Sequence, residues 1–205
     1  MSLRGCLLGL LTACPMTGYE LTKYFDASLD YLWQAPHSQI YPELRRMEEA
    51  GLVKATTLPR GERATKRAYA ITDEGRAEFA RWVAEPSSGP RPREVDYVKA
   101  TYLEFTSFEQ AREQFIALRD RHERERQEYE GHARLLDARA TELMKARLAN
   151  APAREHEAIV AYKVHTYRGL AARAAQEKAW AEEGIALVDR LQHGADAERP
   201  RTTGQ

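Results

Sequence analysis

Apolar residues at helical spacing organise the first part of the chain. Residues 3–13 are almost wholly apolar, with Leu3, Leu7, Leu8, Leu10 and Leu11, and predict a buried first helix closed by Pro15. Thr17-Gly18-Tyr19-Glu20 has the form of a capping box, in which the Thr hydroxyl accepts an N–H three residues on while the Glu reaches back. The second helix that it opens carries an apolar stripe of Leu21, Tyr24, Phe25 and Leu29. A third helix is predicted over residues 38–51, with Ser38 as N-cap, Pro42 in the first turn and Gly51 at the left-handed C′ position. Ile40, Leu44 and Met47 line one face of it, and Ser38, Pro42, Arg45, Arg46 and Glu49 point the other way.

The period then shortens. Residues 52–58 and 66–72 predict two strands joined by a turn over 59–65, with Tyr69 and Ile71 alternating with smaller residues. Thr72-Asp73-Glu74 caps a fourth helix bearing Phe79, Trp82 and Val83, its acidic first turn suited to the helix N-terminus. Residues 86–93 form a stiff Pro-rich linker.

Beyond the linker, two long helices are predicted over 107–149 and 153–192, separated by Asn150-Ala151-Pro152. Phe108, Phe115, His122, Tyr129, Leu136 and Leu143 recur at every seventh position of the first. Val160, Tyr167, Ala174, Ala181 and Val188 do so in the second. Such a repeat marks helices that wrap around partners. The companion position degrades from Leu118 to Glu125 and His132, so the packing is coiled-coil-like rather than a clean zipper. Phe108, Phe115, Tyr129, Leu136, Leu143, Val160, Tyr167 and Val188 are therefore candidate dimerisation residues. The expected organisation is a domain over 1–85, a linker over 86–93, a helical dimerisation domain over 94–192 and a disordered tail over 193–205. The fold class is mainly α. Helix–helix–helix–strand–strand–helix within 1–85 is the winged helix-turn-helix order, followed by a long-helix domain.

Charge changes this picture only locally. Lys and Arg number 31, as do Asp and Glu, so the 205-residue chain is formally neutral and gives no global sign of a polyanionic partner. The predicted wing, however, holds Arg60, Arg63, Lys66 and Arg67 against Glu62 alone. Cys6 and Cys14 would lie about 12 Å apart on one helix, too far for a disulfide, and a reducing cytoplasm is the expected location. Leu11-Thr12-Ala13-Cys14 resembles a lipoprotein cleavage box, but the stretch before it is short for a signal and continues into a helical domain. No other run approaches a membrane span. Clustered Cys/His metal spacing, glycine-rich phosphate loops and nucleophile elbows are absent from the sequence, so neither a cofactor nor an enzyme is expected.

The winged order places the third helix in a major groove and the hairpin along the backbone. Arg45 and Arg46 then face DNA, with Pro42 on the same side. Tyr19 is offset from its helix's apolar stripe and free to reach phosphate, and Lys66 and Arg67 flank the hairpin turn. Tyr97 and Tyr102 follow the linker where two domains meet, a common place for pockets, and Trp33 precedes the third helix; these are the candidate effector-binding residues.

The chain also resembles a known family. Leu8-Gly9-Leu10-Leu11, Pro15-Met16-Thr17-Gly18-Tyr19-Glu20-Leu21, Ser38-Gln39-Ile40-Tyr41-Pro42-Glu43-Leu44-Arg45-Arg46-Met47-Glu48, Gly51-Leu52-Val53 and Tyr69-Ala70-Ile71-Thr72-Asp73-Glu74-Gly75-Arg76 carry the likeness. They resemble the PadR family of bacterial transcriptional regulators over residues 3–85, and the helical remainder has the length of that family's larger subgroup. The resemblance implies a homodimer with exchanged C-terminal helices, bound to an inverted-repeat operator in double-stranded DNA. It also implies repression released by a small aromatic or phenolic effector. By the same resemblance Tyr19, Lys23, Ser38, Gln39, Tyr41 and the wing residues Arg63, Lys66 and Arg67 would face DNA. Family wings are often Gly-rich, whereas Ala64-Thr65 stands here. The competing expectation is a helical protein–protein adaptor or co-activator built on a winged-helix scaffold.

Overall fold

The computed structural model describes residues 3–28, 37–60, 64–86 and 94–198. The chain divides into two compact units, Met1–Pro90 with Ala140–His156, and Arg91–Arg139 with Glu157–Gln205.

In the first unit, helix α1 (Leu3–Leu11) is buried at Leu7, Leu8, Leu10 and Leu11, as its all-round apolar surface requires. Strand β1 (Met16–Thr17) follows, and helix α2 (Gly18–Ser28) starts at the expected capping box. The Thr17 N–H donates to Glu20 Oε2 at 2.7 Å, and the Glu20 N–H returns to Thr17 Oγ1 at 3.2 Å. Leu21 and Phe25 are buried and Tyr24 packs against the same core; Leu29 lies outside the described residues.

Helix α3 (His37–Glu49) begins one residue earlier than expected, so Ser38 is helical rather than the N-cap and Pro42 sits in the second turn. A proline there cannot donate to the Ser38 carbonyl, which is left to solvent at an exposed position. Ile40, Leu44 and Met47 are fully buried. The helix ends in a Schellman motif: Gly51 has φ +71°, its N–H reaches Glu48 O at 3.0 Å, and the Leu52 N–H reaches Met47 O at 2.9 Å.

Strands β2 (Val53–Arg60) and β3 (Ala64–Ile71) pair antiparallel from Val53↔Ile71 to Arg60↔Ala64. They run further into the expected 59–65 turn than the sequence pattern suggests; residues 61–63, including Arg63, lie outside the described residues. The sheet order is β1-β3-β2, with Met16 opposite Tyr69. Helix α4 (Asp73–Ala84) is capped by Thr72, whose hydroxyl accepts from the Gly75 N–H at 3.0 Å and donates to Gly51 O at 2.7 Å. Trp82 and Phe79 of α4 lie over Gly5 and Gly9 of α1.

The predicted helix over 107–149 is not continuous. Helix α6 (Phe108–Asp137) stops before Arg139, which adopts φ +55°, and helix α7 (Glu142–Ala149) restarts from a Thr141 cap. Residues 140–156 belong to the winged unit rather than to the helical one. Leu143 therefore does not prolong the seven-residue seam: it packs with Ala146 against the core around α1. The Asn150 amide donates to Ala13 O at 2.9 Å, and Arg147 Nη1 reaches Thr12 O at 3.4 Å. These bonds satisfy carbonyls just beyond the C-terminus of α1.

The second unit holds helix α5 (Val95–Ala100), a 3₁₀ turn at Leu103–Phe105, α6, and helix α8 (His156–Glu198). Of the expected tail over 193–205, residues 193–198 continue α8, and 199–205 lie outside the described residues. Helices α6 and α8 run antiparallel against each other within one chain. Arg112 pairs with Asp189, Glu123 with Lys178 at 3.2 Å, and Asp137 with Arg168 at 3.5 Å. Between them Ala111, Phe115 and Leu118 pack with Ala181 and Val188. Gly184 leaves room for the Phe115 ring: a Cβ there would lie 2.5 Å from it.

This pairing already covers much of the candidate dimerisation set within one chain. Phe115, Leu136, Val160, Tyr167 and Val188 are already buried within the single chain, and Tyr129 is half-buried. A seven-residue repeat says that a helix has a partner, not that the partner is another chain. Of that set Phe108 remains substantially exposed.

Candidate nucleic-acid interface

The outward face of α3 presents Ser38, Gln39, Tyr41, Pro42, Arg45 and Arg46, all exposed. Their exposure follows from the complete burial of Ile40, Leu44 and Met47 on the opposite face. Tyr19 and Lys23 add exposed side chains one turn apart on α2, and Lys66 is exposed on β3. A cleft of about 860 Å³ opens between these elements. Tyr41 and Arg45 line it from α3, Thr17 to Glu20 from the start of α2, and Thr65, Lys66, Arg67 and Tyr69 from β3.

Two features shape the cleft: a glycine against the Tyr41 ring, which the sequence did not signal, and the Thr17–Glu20 capping box, which it did. A Cβ on Gly18 would lie 2.4 Å from the Tyr41 ring, so the glycine lets that ring lie against the start of α2. Glu20, the acidic residue lining the cleft, is held by the Thr17 N–H and hydroxyl, which keep its carboxyl below the usual range, with Lys66 nearby adding to the effect.

The predicted cations do not all behave alike. Arg67 Nη2 reaches both carboxylate oxygens of Glu48, at 2.6 and 2.8 Å. Arg46 reaches Glu43 at 3.2 Å, and Glu43 also takes Arg4 at 2.8 Å. Arg45 and Lys66 have no ion-pair partner among the described residues. Alternation along β3 explains the contrast at the wing: Arg67 shares the face of buried Tyr69, and Lys66 the other.

The candidate effector residues divide as well. Tyr97 is committed to packing: its ring stacks on Trp180 at 4.2 Å, and its hydroxyl donates to Glu177 at 2.7 Å. Trp180 in turn meets Phe115 edge-on at 5.6 Å, which ties α5 to both long helices. Tyr102 is exposed, and Trp33 lies outside the described residues. The bond to Glu177, with partial burial and the nearby Glu94 charge, pushes the Tyr97 phenol up to about 12. The raised value means that folding favours the protonated form. Its stabilisation is complete below the unfolded tyrosine pKa of about 10 and is lost as pH rises from about 10 to about 12. Alkaline unfolding followed by circular dichroism is expected to show this loss in the native chain, and Tyr97→Phe is expected to flatten it.

Comparison with known proteins agrees with this geometry. Residues 7–81 match the model of the transcriptional regulator PadR-like family. That segment, which lies within the winged unit, is similar to the PadR-like family of transcriptional regulators. It is 49% identical over 92 residues to the probable transcriptional regulator Rv1176c of Mycobacterium tuberculosis, covering 45% of this chain and 49% of that protein. It is 32% identical over 114 residues to the negative transcriptional regulator PadR of Bacillus subtilis, covering 55% of this chain and 63% of that one. The matches thus span about half to under two thirds of these relatives' lengths. The solved structure of Bacillus subtilis PadR with operator DNA has a TM-score of 0.71 at 25% identity, over 91% of this chain and 98% of that one. The same protein solved with p-coumaric acid gives a TM-score of 0.65 at 24% identity, over the same shares of each chain. The family's winged-helix architecture therefore extends to this chain together with its long C-terminal helices. Among the described residues no helix is long and apolar enough to cross a membrane.

Proposed function

We propose that the chain is a homodimeric, sequence-specific transcriptional regulator that binds an inverted-repeat operator through α3 and the β2–β3 wing. One observation carries this reading: the exposed face of α3, the start of α2 and β3 converge on one cleft that presents Tyr19, Tyr41, Arg45 and Lys66 together. Cations and tyrosine hydroxyls are the groups that hold phosphate, and a helix beside them is the element that enters a major groove. The operator-bound PadR relative supports the assignment. The role is regulatory rather than enzymatic, in keeping with the relatives.

A second copy is the partner assigned to the apolar side chains left exposed on the helical unit: Val95, Val98, Tyr102, Phe105 and Phe108, with Leu187 and Leu191 on α8. The direction of control assigned here is repression relieved by a small aromatic effector, after the negative regulator PadR and its p-coumaric acid complex.

Fluorescence anisotropy of the full chain on DNA from upstream of its own gene tests the reading. Binding with Kd of about 10⁻⁸ M or tighter at physiological salt is expected, at least about a thousandfold tighter than on an unrelated duplex. Equal affinity for both duplexes, or none for either, would refute sequence-specific regulation.

A further inference from the structure

The inference concerns the residues that build the DNA face, and it rests on the DNA-binding reading of that face. We propose that Arg67 is a positioning residue that fixes the wing strand to the recognition helix through Glu48, while Arg45 and Lys66 make the phosphate contacts.

Arg67 is engaged on two sides. One of its terminal nitrogens reaches both oxygens of Glu48, at 2.6 and 2.8 Å, and its guanidinium carbon lies 5.7 Å from the centroid of the Tyr69 ring. Tyr69 is itself buried and paired with Met16 of β1, so this ring is a fixed platform. A planar guanidinium stacks on such a platform, which an ammonium does less well. Glu48 stands in the last turn of α3, where a carboxylate opposes the helix dipole, and Arg67 offsets that charge. The pair spans 19 residues of chain and joins the end of α3 to the wing strand. Turning that same terminal nitrogen to phosphate would cost Arg67 its bond to Glu48. Lys66, one residue earlier and on the other face of the strand, has no such commitment among the described residues.

Positioning and contact leave different signatures in salt. A phosphate contact contributes about 0.9 to the slope of log K against log salt, whereas a side chain that only aligns the surface changes affinity without changing the slope. The probe is a duplex selected by the wild-type chain from a random-sequence pool, titrated by anisotropy between about 50 and 200 mM KCl. Arg67→Ala and Glu48→Gln are each expected to weaken binding about two- to fivefold at unchanged slope. Lys66→Ala is expected to lower the slope by about 1. The exchanged pair Glu48→Arg with Arg67→Glu is expected to recover most of the lost affinity. Thermal melts of each variant by circular dichroism confirm that the comparison is made on folded chains.

Three results would overturn the proposal. Arg67→Ala could lower the slope as Lys66→Ala does. Glu48→Gln could tighten binding, as release of a phosphate-seeking arginine would. The exchanged pair could melt like wild type yet fail to recover affinity. Failure of the wild-type chain to select any duplex is a separate outcome: it removes the DNA reading, and this inference with it.

Discussion

Replacing Arg45 and Lys66 together with alanine is expected to weaken operator binding about a hundredfold at physiological salt and to lower the salt slope by about 2. Each forms no ion pair among the described residues, so each can meet phosphate without first breaking a bond to the protein. They reach the cleft from different elements, α3 and β3. A charge-assisted contact is worth roughly 1.5 kcal/mol, about tenfold, and two contacts made independently add. Anisotropy across a salt series reads affinity and slope in one experiment. The change lies on the surface, so the unfolding free energy is expected to stay within about 0.5 kcal/mol of wild type.

Gly75→Ala is expected to destabilise the winged unit by about 3 kcal/mol or more, measured by urea unfolding. A Cβ at this position would lie 2.1 Å from the Leu52 carbonyl oxygen and 2.9 Å from Ile71 Cγ1. The oxygen is backbone, and it already accepts the Thr72 N–H at 3.1 Å. It belongs to the joint between the Schellman end of α3 and the start of β2, so it cannot move without shifting the recognition helix or the strand. Alanine in place of helical glycine would otherwise gain about 1 kcal/mol. Gly169→Ala isolates that gain, because nothing lies within 4 Å of a Cβ there. It is expected to stabilise the protein by up to about 1 kcal/mol. The two substitutions are chemically the same, and their opposite signs separate close approach from helix propensity.

The parts of this fold legible in the sequence are those bounded by chemically specific signals. Thr17 with Glu20, Gly51 and Thr72 each mark an element end by a hydrogen bond or a left-handed turn that few residue types supply, and all three do so in the structure. Strand β1 was not legible, because two residues cannot show a period. The break between α6 and α7 was hidden for another reason. Its left-handed residue is Arg139 rather than a glycine, and Leu143 falls by coincidence on the seven-residue spacing while packing in a different unit.

Within the candidate site, the exposed face of α3 followed directly from the apolar stripe behind it. The division of labour between Lys66 and Arg67 was available from strand alternation, since adjacent residues cannot share a face. The tie to Glu48 was not, because a pairing across 19 residues depends on how the strand packs beside the helix. The seven-residue seam was legible only in part on the same ground: periodicity records that a helix face is covered, and only the packed chain shows by what.

The location of DNA on the protein is read most directly by amide hydrogen exchange of the full chain, with and without a duplex it selects. Slowed exchange is expected in residues 17–23, 37–45 and 64–69, the segments that line or flank the cleft. A bound duplex that instead protects only residues 95–137 or 157–198, and leaves α3 and β3 unchanged, would contradict the assignment of this face as the DNA-binding surface.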